Sequence, residues 1–409
     1  MFSAILLLNL VTVSVYGSEA IPFRAGSGGD FSPGEVLIKF KEGVSPETAD
    51  KVHRGCKISE WSKGYNDSYQ IISCTPGKER EMVEAYTRQP EVSYAEPNYY
   101  RTTCTIPNDE FYSLQWNFPL INLPDAWDIS TGEGVVVAVV DTGINPFGRD
   151  GFGLQFEDRL MPGYNAIVGT PGGIDFNQHG THVAGTIGQE TNNRIGVAGI
   201  AYNAQILPVK SLSFLGGGFD SWIINGIRWA TDNGADVINL SLGYSFYSRA
   251  LEEAVDYAYE RGVTVVAAAG NDGTNEVTYP AAFEHCIAVG AVRYDKQRTS
   301  YSNYGDALDL VAPGGDLDVD QNGDDYGDGI LQETFWSLGL GWGYWFSTGT
   351  SMASPHVAGV AALIKSVHPE YGPDEIRQVL QDSAEDLGAP GWDERYGYGL
   401  VDALAAVSY

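Results

Sequence analysis

The sequence predicts an α/β fold in two parts: a large domain built on a parallel sheet with helices on both faces, and a small α+β domain ahead of it. Three observations carry that expectation. From about Asn108 onward, apolar runs of strand length end in glycine and polar residues; these runs alternate with helix-length segments; and residues 34–100 show a shorter strand–helix pattern of their own.

In chain order, residues 1–17 hold Ala4-Ile5-Leu6-Leu7-Leu8 and then small side chains, with Ser18-Glu19-Ala20 offering a cleavable junction. Residues 1–20 therefore read as a secretory signal peptide; the stretch lacks an early Lys or Arg, and an uncleaved anchor is the alternative. Residues 21–33, with Ala25-Gly26-Ser27-Gly28-Gly29, have the composition of a linker. The small domain then begins with a strand over 35–40, a helix after Ser45-Pro46, a strand near 69–73, a helix over 78–88 and a strand at 92–94. In the large domain, strands are expected at 135–140, 206–209, 237–240, 263–269 and 287–289. Helices are expected near 181–187, 222–231, 250–260, 352–367 and 373–382. No later apolar run reaches a membrane-spanning length.

A length of 409 residues accommodates one large and one small domain, and 43% hydrophobic with 12% aromatic residues excludes a disordered chain. Basic residues number 24 against 53 acidic ones, so a net charge of −29 repels nucleic acid. Nearly all of it falls in 108–409, where Lys210, Lys296 and Lys365 are the only lysines. Such a surface suits an exported soluble protein, a saline exterior or bound cations. Cys56, Cys74, Cys104 and Cys286 are too few and scattered for a disulfide framework or a zinc site. Cys56 and Cys74 either pair in an exported protein or stay as thiols.

In a parallel sheet the ligand lies at the carboxyl ends of the strands. Asp141 follows the run Val135 to Val140, Ser241 follows Val237-Ile238-Asn239-Leu240, and Asn271 follows Ala267-Ala268-Ala269-Gly270. One polar residue in such a place is usually a cap or turn former; three together call for more. His179 sits in Asn177-Gln178-His179-Gly180-Thr181-His182-Val183-Ala184-Gly185, at the entry to a helix of small residues. Ser351 opens the last long helix in Gly349-Thr350-Ser351-Met352-Ala353-Ser354-Pro355-His356. A serine there is either an N-cap or a nucleophile whose oxyanion gains from the positive helix end. A serine nucleophile needs a histidine base, and the histidine needs a carboxylate to fix its tautomer. Asp141, His179 and Ser351 supply those groups. His182 is a rival base, and a zinc reading of the two histidines fails because they are not an i, i+4 pair around a Glu.

With four blocks, Val139-Val140-Asp141-Thr142-Gly143-Ile144, His179-Gly180-Thr181-His182-Val183-Ala184-Gly185, Ala268-Ala269-Gly270-Asn271 and Gly349-Thr350-Ser351-Met352-Ala353, the chain resembles the subtilisin-like serine peptidases, with thermitase-like features. The resemblance implies a three-layer subtilisin-like catalytic domain over 108–409, a propeptide over 21–107, and within it a ferredoxin-like inhibitor/chaperone domain over 34–100. It implies Asp141, His179 and Ser351 as the triad and Asn271 as the oxyanion-hole amide, with the first histidine as base.

The same resemblance implies a substrate held as an added β-strand between Gly216-Gly217-Gly218 and Ser241-Leu242-Gly243. Leu242, Gly243, Ala268, Gly270 and Thr278 then line an apolar pocket for the residue before the cut, with Asp272 at its rim. Structural calcium is implied at the loop 191–197, with Asn193 and the carbonyls of Thr191, Ile195 and Val197, and Asp109 as an amino-terminal ligand. The family's usual segment after the triad Asp is replaced here, leaving Asp150 or Asp158 to serve if any does. A family-atypical insertion carries Asp318, Asp320, Asn322, Asp324 and Asp328; Asp318, Asp320, Asn322 and Gly323 match positions 1, 3, 5 and 6 of an EF-hand-like loop, but Gly329 stands at position 12, where a Glu is expected. The insertion is either a second calcium loop or a solvated acidic one. The aromatic stretches Phe335-Trp336 and 342–346 read as packing and cleft wall rather than a membrane element.

The implied function is a secreted serine endopeptidase, made as a self-processed zymogen. It would act as a monomer on proteins or peptides, with its own propeptide as partner, no nucleic acid and no membrane once the leader is gone. Two other readings are a catalytically silent binding homologue and a ligase or cyclase. The complete set Asp141, His179, Ser351 and Asn271, and an unaltered serine block, argue against both.

Overall fold

The computed structural model describes residues 31–41, 43–58, 61–63, 69–99, 106–148, 159–337 and 340–409. The leader, most of the linker, the segment 100–105 with Cys104, and Asp150 and Asp158 lie outside them. The chain divides into two compact units, Met1–Thr103 and Cys104–Tyr409.

The first unit runs β1 (Phe31–Phe40), α1 (Pro46–Gly55), β2 (Trp61–Lys63), β3 (Gln70–Ser73), α2 (Glu79–Thr87) and β4 (Val92–Tyr99). Its sheet has the order β2-β3-β1-β4, with antiparallel pairs throughout. This is the ferredoxin-like arrangement expected; β2, three residues long, gave no signal in the sequence. Alternation on β1 turns Val36 and Ile38 inward, where they meet Val52, Ile72, Tyr86 and Val92. Ser45 caps α1 by accepting the Thr48 amide, and Pro46 begins the helix, where its missing N–H costs nothing. Cys56 and Cys74 stand unbridged.

The second unit contains α3 (Asn117–Leu120), α4 (Leu123–Ala126), β5 (Val136–Asp141), β6 (Tyr164–Asn165), β7 (Thr170–Pro171), α5 (His179–Gly188), β8 (Gln205–Lys210), α6 (Asp220–Asp232), β9 (Val237–Leu240) and α7 (Arg249–Tyr259). It continues with β10 (Thr264–Ala268), β11 (Ile287–Val292), β12 (Leu310–Pro313), β13 (Ile330–Ser337), β14 (Leu340–Ser347), α8 (Thr350–Val367), α9 (Pro373–Asp382) and α10 (Ala403–Val407). The main sheet has the order β12-β11-β10-β9-β5-β8-β6-β7, parallel except for the short edge pair β6–β7.

Successive side chains of β5 serve opposite faces. Val137 and Val139 join a core with Val183, Ile187 and the α8 residues Val357, Val360 and Ile364, whereas Ala138 and Val140 join Ile227 of α6 and Val255 of α7. A strand buried on both faces has no polar alternation, which explains why these segments read as unbroken apolar runs. The hairpin β13–β14 is a separate two-stranded sheet. Its aromatics cover one another: Phe335 against Trp342 at 5.3 Å and Trp336 against Trp345 at 5.4 Å between ring centroids. Among the described residues no helix is long and apolar enough to cross a membrane.

Candidate active site

Asp141 ends β5 and is fully buried, and His179 is the first residue of α5. The helix reaches the strand because residue 180 is glycine: a Cβ there would lie 2.3 Å from the Gly143 carbonyl oxygen. His179 Nδ1 is 2.8 Å from Asp141 Oδ1, which also accepts the Thr142 amide at 2.6 Å. A carboxylate only accepts, so Nδ1 carries the proton and Nε2 is left with its lone pair. Burial works against a charged His179, but the adjacent Asp141 and, further off, Asp175 outweigh it and hold the imidazole pKa above its ordinary value.

Asp175, fully buried, organises the turn into α5. It accepts the amides of Asn177 (2.7 Å), Gln178 (3.1 Å) and Thr181 (3.1 Å) and the Thr181 hydroxyl (2.7 Å). Gln178, at φ 95°, and His179 are thereby fixed from below. Lys210, paired with Asp141 across β5 and β8, donates to the Thr142 carbonyl at 2.5 Å, and burial pushes its own pKa down. His182 is not placed as a base. Its Nε2 donates to the carbonyls of Ile330 (3.0 Å) and Trp345 (3.2 Å), and burial drives its pKa down to about 4.

Ser351 is the second residue of α8. Pro355, four residues on, has no N–H to give the Ser351 carbonyl, and Ser241 Oγ donates to that carbonyl instead at 2.8 Å. Ser241 is held in turn by Asn239 Nδ2 at 2.9 Å, and Asn239 Oδ1 accepts Ser354 Oγ at 2.7 Å. Ser351 Oγ donates to the Ser241 carbonyl at 3.2 Å rather than to His179, although both residues line one cavity of about 720 Å³. Rotation about a single side-chain bond redirects a hydroxyl, and such contacts tighten when substrate arrives.

Asn271 follows β10, and its Oδ1 accepts both the amide (2.8 Å) and the hydroxyl (3.0 Å) of Thr350. Those bonds fix the amide flip and leave Nδ2 as a donor. Gly349, at φ 146°, opens the space in front of it: a Cβ there would sit 3.6 Å from Ser351 N and 3.7 Å from Asn271 Nδ2. Two N–H donors therefore border one small vacant volume at the helix N-terminus, the geometry that stabilises an oxyanion.

The large cavity is lined by Gly216, Gly217 and Gly218 on one side and by Ser241, Leu242 and Gly243 on the other. A second cavity of about 330 Å³ is lined by Leu242, Gly243, Ala268, Gly270, Asn271, Asp272, Thr278 and Ser351, so the whole expected pocket assembles. Tyr244, shared by both cavities, and Tyr247, Leu251 and Tyr279 of the larger one were not foreseen. Nor was Asn303, whose Oδ1 accepts the amides of Asp272 and Thr274 and whose Nδ2 donates to the Glu276 carbonyl. Asp175, Thr350 and Asn303 act on the site through contacts that no local pattern announces, although Asp175 stands four residues before His179 and Thr350 directly precedes Ser351.

At the 191–197 loop, Asp109 is buried and accepts the amides of Asn192 (2.9 Å) and Asn193 (3.2 Å). Burial pushes its carboxyl up, and backbone amides oppose that in part. Asn192, Arg194 and Gly196 all have positive φ, which curls the loop around this carboxylate. The donors on offer, Asp109, Asn193 and the loop carbonyls, are oxygens, the chemistry that suits calcium. Among the described residues no three His, Cys, Asp or Glu side chains already stand together as a metal group.

Residues 132–399 match the family model described as the Subtilase family, and residues 18–98 match the fervidolysin N-terminal prodomain. The chain is 37% identical over 385 residues to the thermophilic serine proteinase of Bacillus sp. (strain AK1), covering 93% of this chain and 89% of that one. Among solved structures, a protease from Pseudoalteromonas arctica aligns with a TM-score of 0.66 at 37% identity, covering 74% of this chain and 99% of that one. Fervidolysin from Fervidobacterium pennivorans, described as a keratinolytic enzyme related to subtilisin, aligns with a TM-score of 0.64 at 27% identity, covering 95% of this chain and 62% of that one.

Proposed function

The chain belongs to the subtilase family of serine peptidases and carries its own prodomain, and from that premise we propose a mechanism for its named residues. Ser351 Oγ attacks the carbonyl carbon of a substrate peptide while His179 Nε2 takes its proton. Asp141 keeps the imidazole in the Nδ1–H tautomer and stabilises the imidazolium. The oxyanion is met by Ser351 N–H and Asn271 Nδ2. His179 then returns the proton to the leaving amine, and water releases the acyl-enzyme by the same route in reverse. The single observation that carries this reading is the 2.8 Å bond between His179 Nδ1 and the buried Asp141, in a cavity that also exposes Ser351.

Substrate lies as an extended strand between the 216–218 and 241–243 segments, where glycine admits a second backbone. Leu242, Gly243, Ala268, Gly270 and Thr278 favour a large apolar side chain before the cut. The domain division is 1–20 signal, 21–107 propeptide and 108–409 mature enzyme. The protein is secreted and acts as a monomer, in keeping with relatives named alkaline protease and subtilisin. Calcium at Asp109, Asn193 and the carbonyls of Thr191, Ile195 and Val197 holds the loop that follows α5; its role there is structural. Casein hydrolysis by the purified, processed protein, abolished by a serine-directed phosphonate, tests the reading; processed protein that cleaves nothing, or cleaves regardless of inhibitor, overturns it.

A further inference from the structure

We infer that residues 320–328 form a second calcium site, which braces β13 and through it the helix that carries His179. Asp328 is 1% exposed. Its Oδ2 accepts the Gln321 amide at 2.8 Å and the Asn322 amide also bears on the carboxylate, but Oδ1 is buried without a hydrogen bond of its own. The charges that reach it are those of Asp320 and Asp324, both of its own sign. No Lys, Arg or His occurs in residues 316–335. A buried carboxylate oxygen without a hydrogen bond, beside two further carboxylates, is the place where a cation would be bound.

The structure also offers a second frame for the site. The sequence match to an EF-hand begins at Asp318, yet Asp318 is exposed, and its recorded bond is from its backbone amide to Asp316. Counted from Asp320, side-chain oxygens fall at positions 1 (Asp320), 3 (Asn322), 5 (Asp324) and 9 (Asp328), with the Tyr326 carbonyl at 7. Position 6 is then Asp325, at φ 72°; Gly323, which holds position 6 in the frame from Asp318, is at φ 75°, so the turn suits either frame and the side-chain oxygens decide between them. Asp320 gathers the amides of Gly323, Asp324 and Asp325, so the loop is wound around its first ligand. Position 12 is Leu331, and no bidentate Glu closes the shell. Binding draws Asp320 and Asp324 from the loop amides toward the ion, with water completing the coordination. Oxygen donors alone select a hard cation, and an irregular shell favours calcium over magnesium.

What the site holds is the path into the catalytic centre. The loop closes on itself through Asp316 N to Asp328 O (2.9 Å) and Asp328 N to Val319 O (2.8 Å). The next residues run straight into contacts with the active-site elements. The Gly329 carbonyl accepts Trp116 Nε1 at 3.0 Å, the Ile330 carbonyl accepts His182 Nε2 at 3.0 Å, and Thr334 Oγ1 donates to the carbonyl of Gln178, which precedes His179, at 2.9 Å. The position of β13 is thus shared between the acidic loop and α5.

The second half of this inference rests on the peptidase reading; the first half does not, because ion binding is measured on the full-length Ser351→Ala protein. Calcium stoichiometry by equilibrium dialysis and terbium luminescence excited through Tyr326 are the readouts, with hydrogen exchange reporting on β13. Asp328→Asn, and separately Asp320→Asn with Asp324→Asn, should each remove one equivalent of calcium. Both should quench the terbium signal and abolish the calcium-dependent slowing of exchange over 330–337. Asp109→Asn should remove a different equivalent and leave the terbium signal excited through Tyr326. Asp320 is exposed and Asp324 half-exposed, so the double variant folds even if Asp328→Asn does not. Unchanged stoichiometry in the double variant overturns the site. Loss of the ion with no change in exchange over 330–337 overturns the brace.

Discussion

Asn271 and Thr350 are joined twice: the Asn271 side-chain oxygen accepts both the amide and the hydroxyl of Thr350, at 2.8 and 3.0 Å. The pairing spends the oxygen of the amide and so presents its NH₂ group to the volume beside Ser351. Asn271→Leu should therefore lower kcat with little change in KM, since the lost bond forms only with the oxyanion. Removing such a donor from subtilisin costs on the order of 10²- to 10³-fold in kcat, and the same order is expected here. Thr350→Val should cost less, because it loosens the amide without removing it. Steady-state kinetics on a chromogenic peptide checks both; a fall in kcat/KM due to KM alone counts against the assignment.

The pH profile should carry the mark of two buried carboxylates. His179 acts as a base only when neutral, and Asp141 and Asp175 stabilise its cation against the opposing effect of burial, raising its pKa above 6.5. Activity should thus be lost as pH falls through that raised value, and the acid limb of kcat/KM should lie on the alkaline side of 6.5. Asp175→Asn removes one of the stabilising charges, so the limb should move to lower pH. It also turns one of the two oxygens that share three backbone amides into an NH₂ group, and kcat should fall by about 10- to 100-fold through misplacement of His179. A variant that loses activity without moving the limb assigns Asp175 a purely structural role.

The four motif blocks were legible because each places chemistry at a strand end or helix start, and the structure brings His179, Ser351 and Asn271 to one cavity or its neighbour, with the buried Asp141 bonded behind His179. The parallel strands were legible for a cruder reason: burial on both faces makes them continuous apolar runs. What stayed hidden depends on contacts distant in sequence. β12 is only four residues long, β13 mixes polar and apolar residues without a clean alternation, and β14 interposes glycine between its aromatics, so no period stands out. Asn303 lies more than thirty residues from Asn271, and nothing around it signals that it pins the oxyanion loop. The acidic loop shows the limit of spacing: Gly323 and Asp325 both adopt positive φ, so the turn alone fits a frame from Asp318 or from Asp320, and it is the burial of Asp328 that favours the second.

Ser351→Ala should leave prodomain and catalytic domain in a single uncut polypeptide. A parallel sheet depends on non-local contacts and folds slowly, so a small sheet-forming domain ahead of it is well suited to assist folding and then be cleaved by the finished enzyme. Intact mass spectrometry of the variant and of the parent reads the outcome directly. If the variant matures in a host lacking other proteases, self-processing is wrong.

Calcium should raise the melting temperature of the Ser351→Ala protein, and chelator should lower it. A ligand bound only by the folded state contributes about 2.7 kcal/mol at a hundredfold excess over Kd. Asp109→Asn should weaken the response by removing the one carboxylate that the 191–197 loop encloses. Magnesium, which gives up its water reluctantly, should stabilise less at equal concentration. Scanning calorimetry across a calcium series distinguishes this from a salt effect, which magnesium would reproduce.

Asp272 should decide how well a basic residue is accepted before the cut. The pocket it borders is otherwise walled by Leu242, Gly243, Ala268, Gly270 and Thr278, none of which carries a charge. Large apolar side chains gain from that wall by desolvation, whereas Lys or Arg must keep its charged end in water and can reach only the rim. Asp272 is exposed, so its attraction is that of a surface pair, about 0.2–1 kcal/mol, or roughly 1.4- to 5-fold in kcat/KM. Asp272→Asn should therefore reduce cleavage after Lys and Arg by that factor and leave cleavage after Phe and Leu unchanged. Because exposed charges are screened over about 8 Å at 0.15 M salt, the difference between parent and variant should shrink as salt is added. Paired peptides differing only in that residue, assayed at low and high ionic strength, test both halves. The backbone amide of Asp272, which donates to Asn303 and helps to hold the Asn271 loop, is untouched by this substitution, so an equal loss on Phe and Lys substrates would overturn the charge assignment.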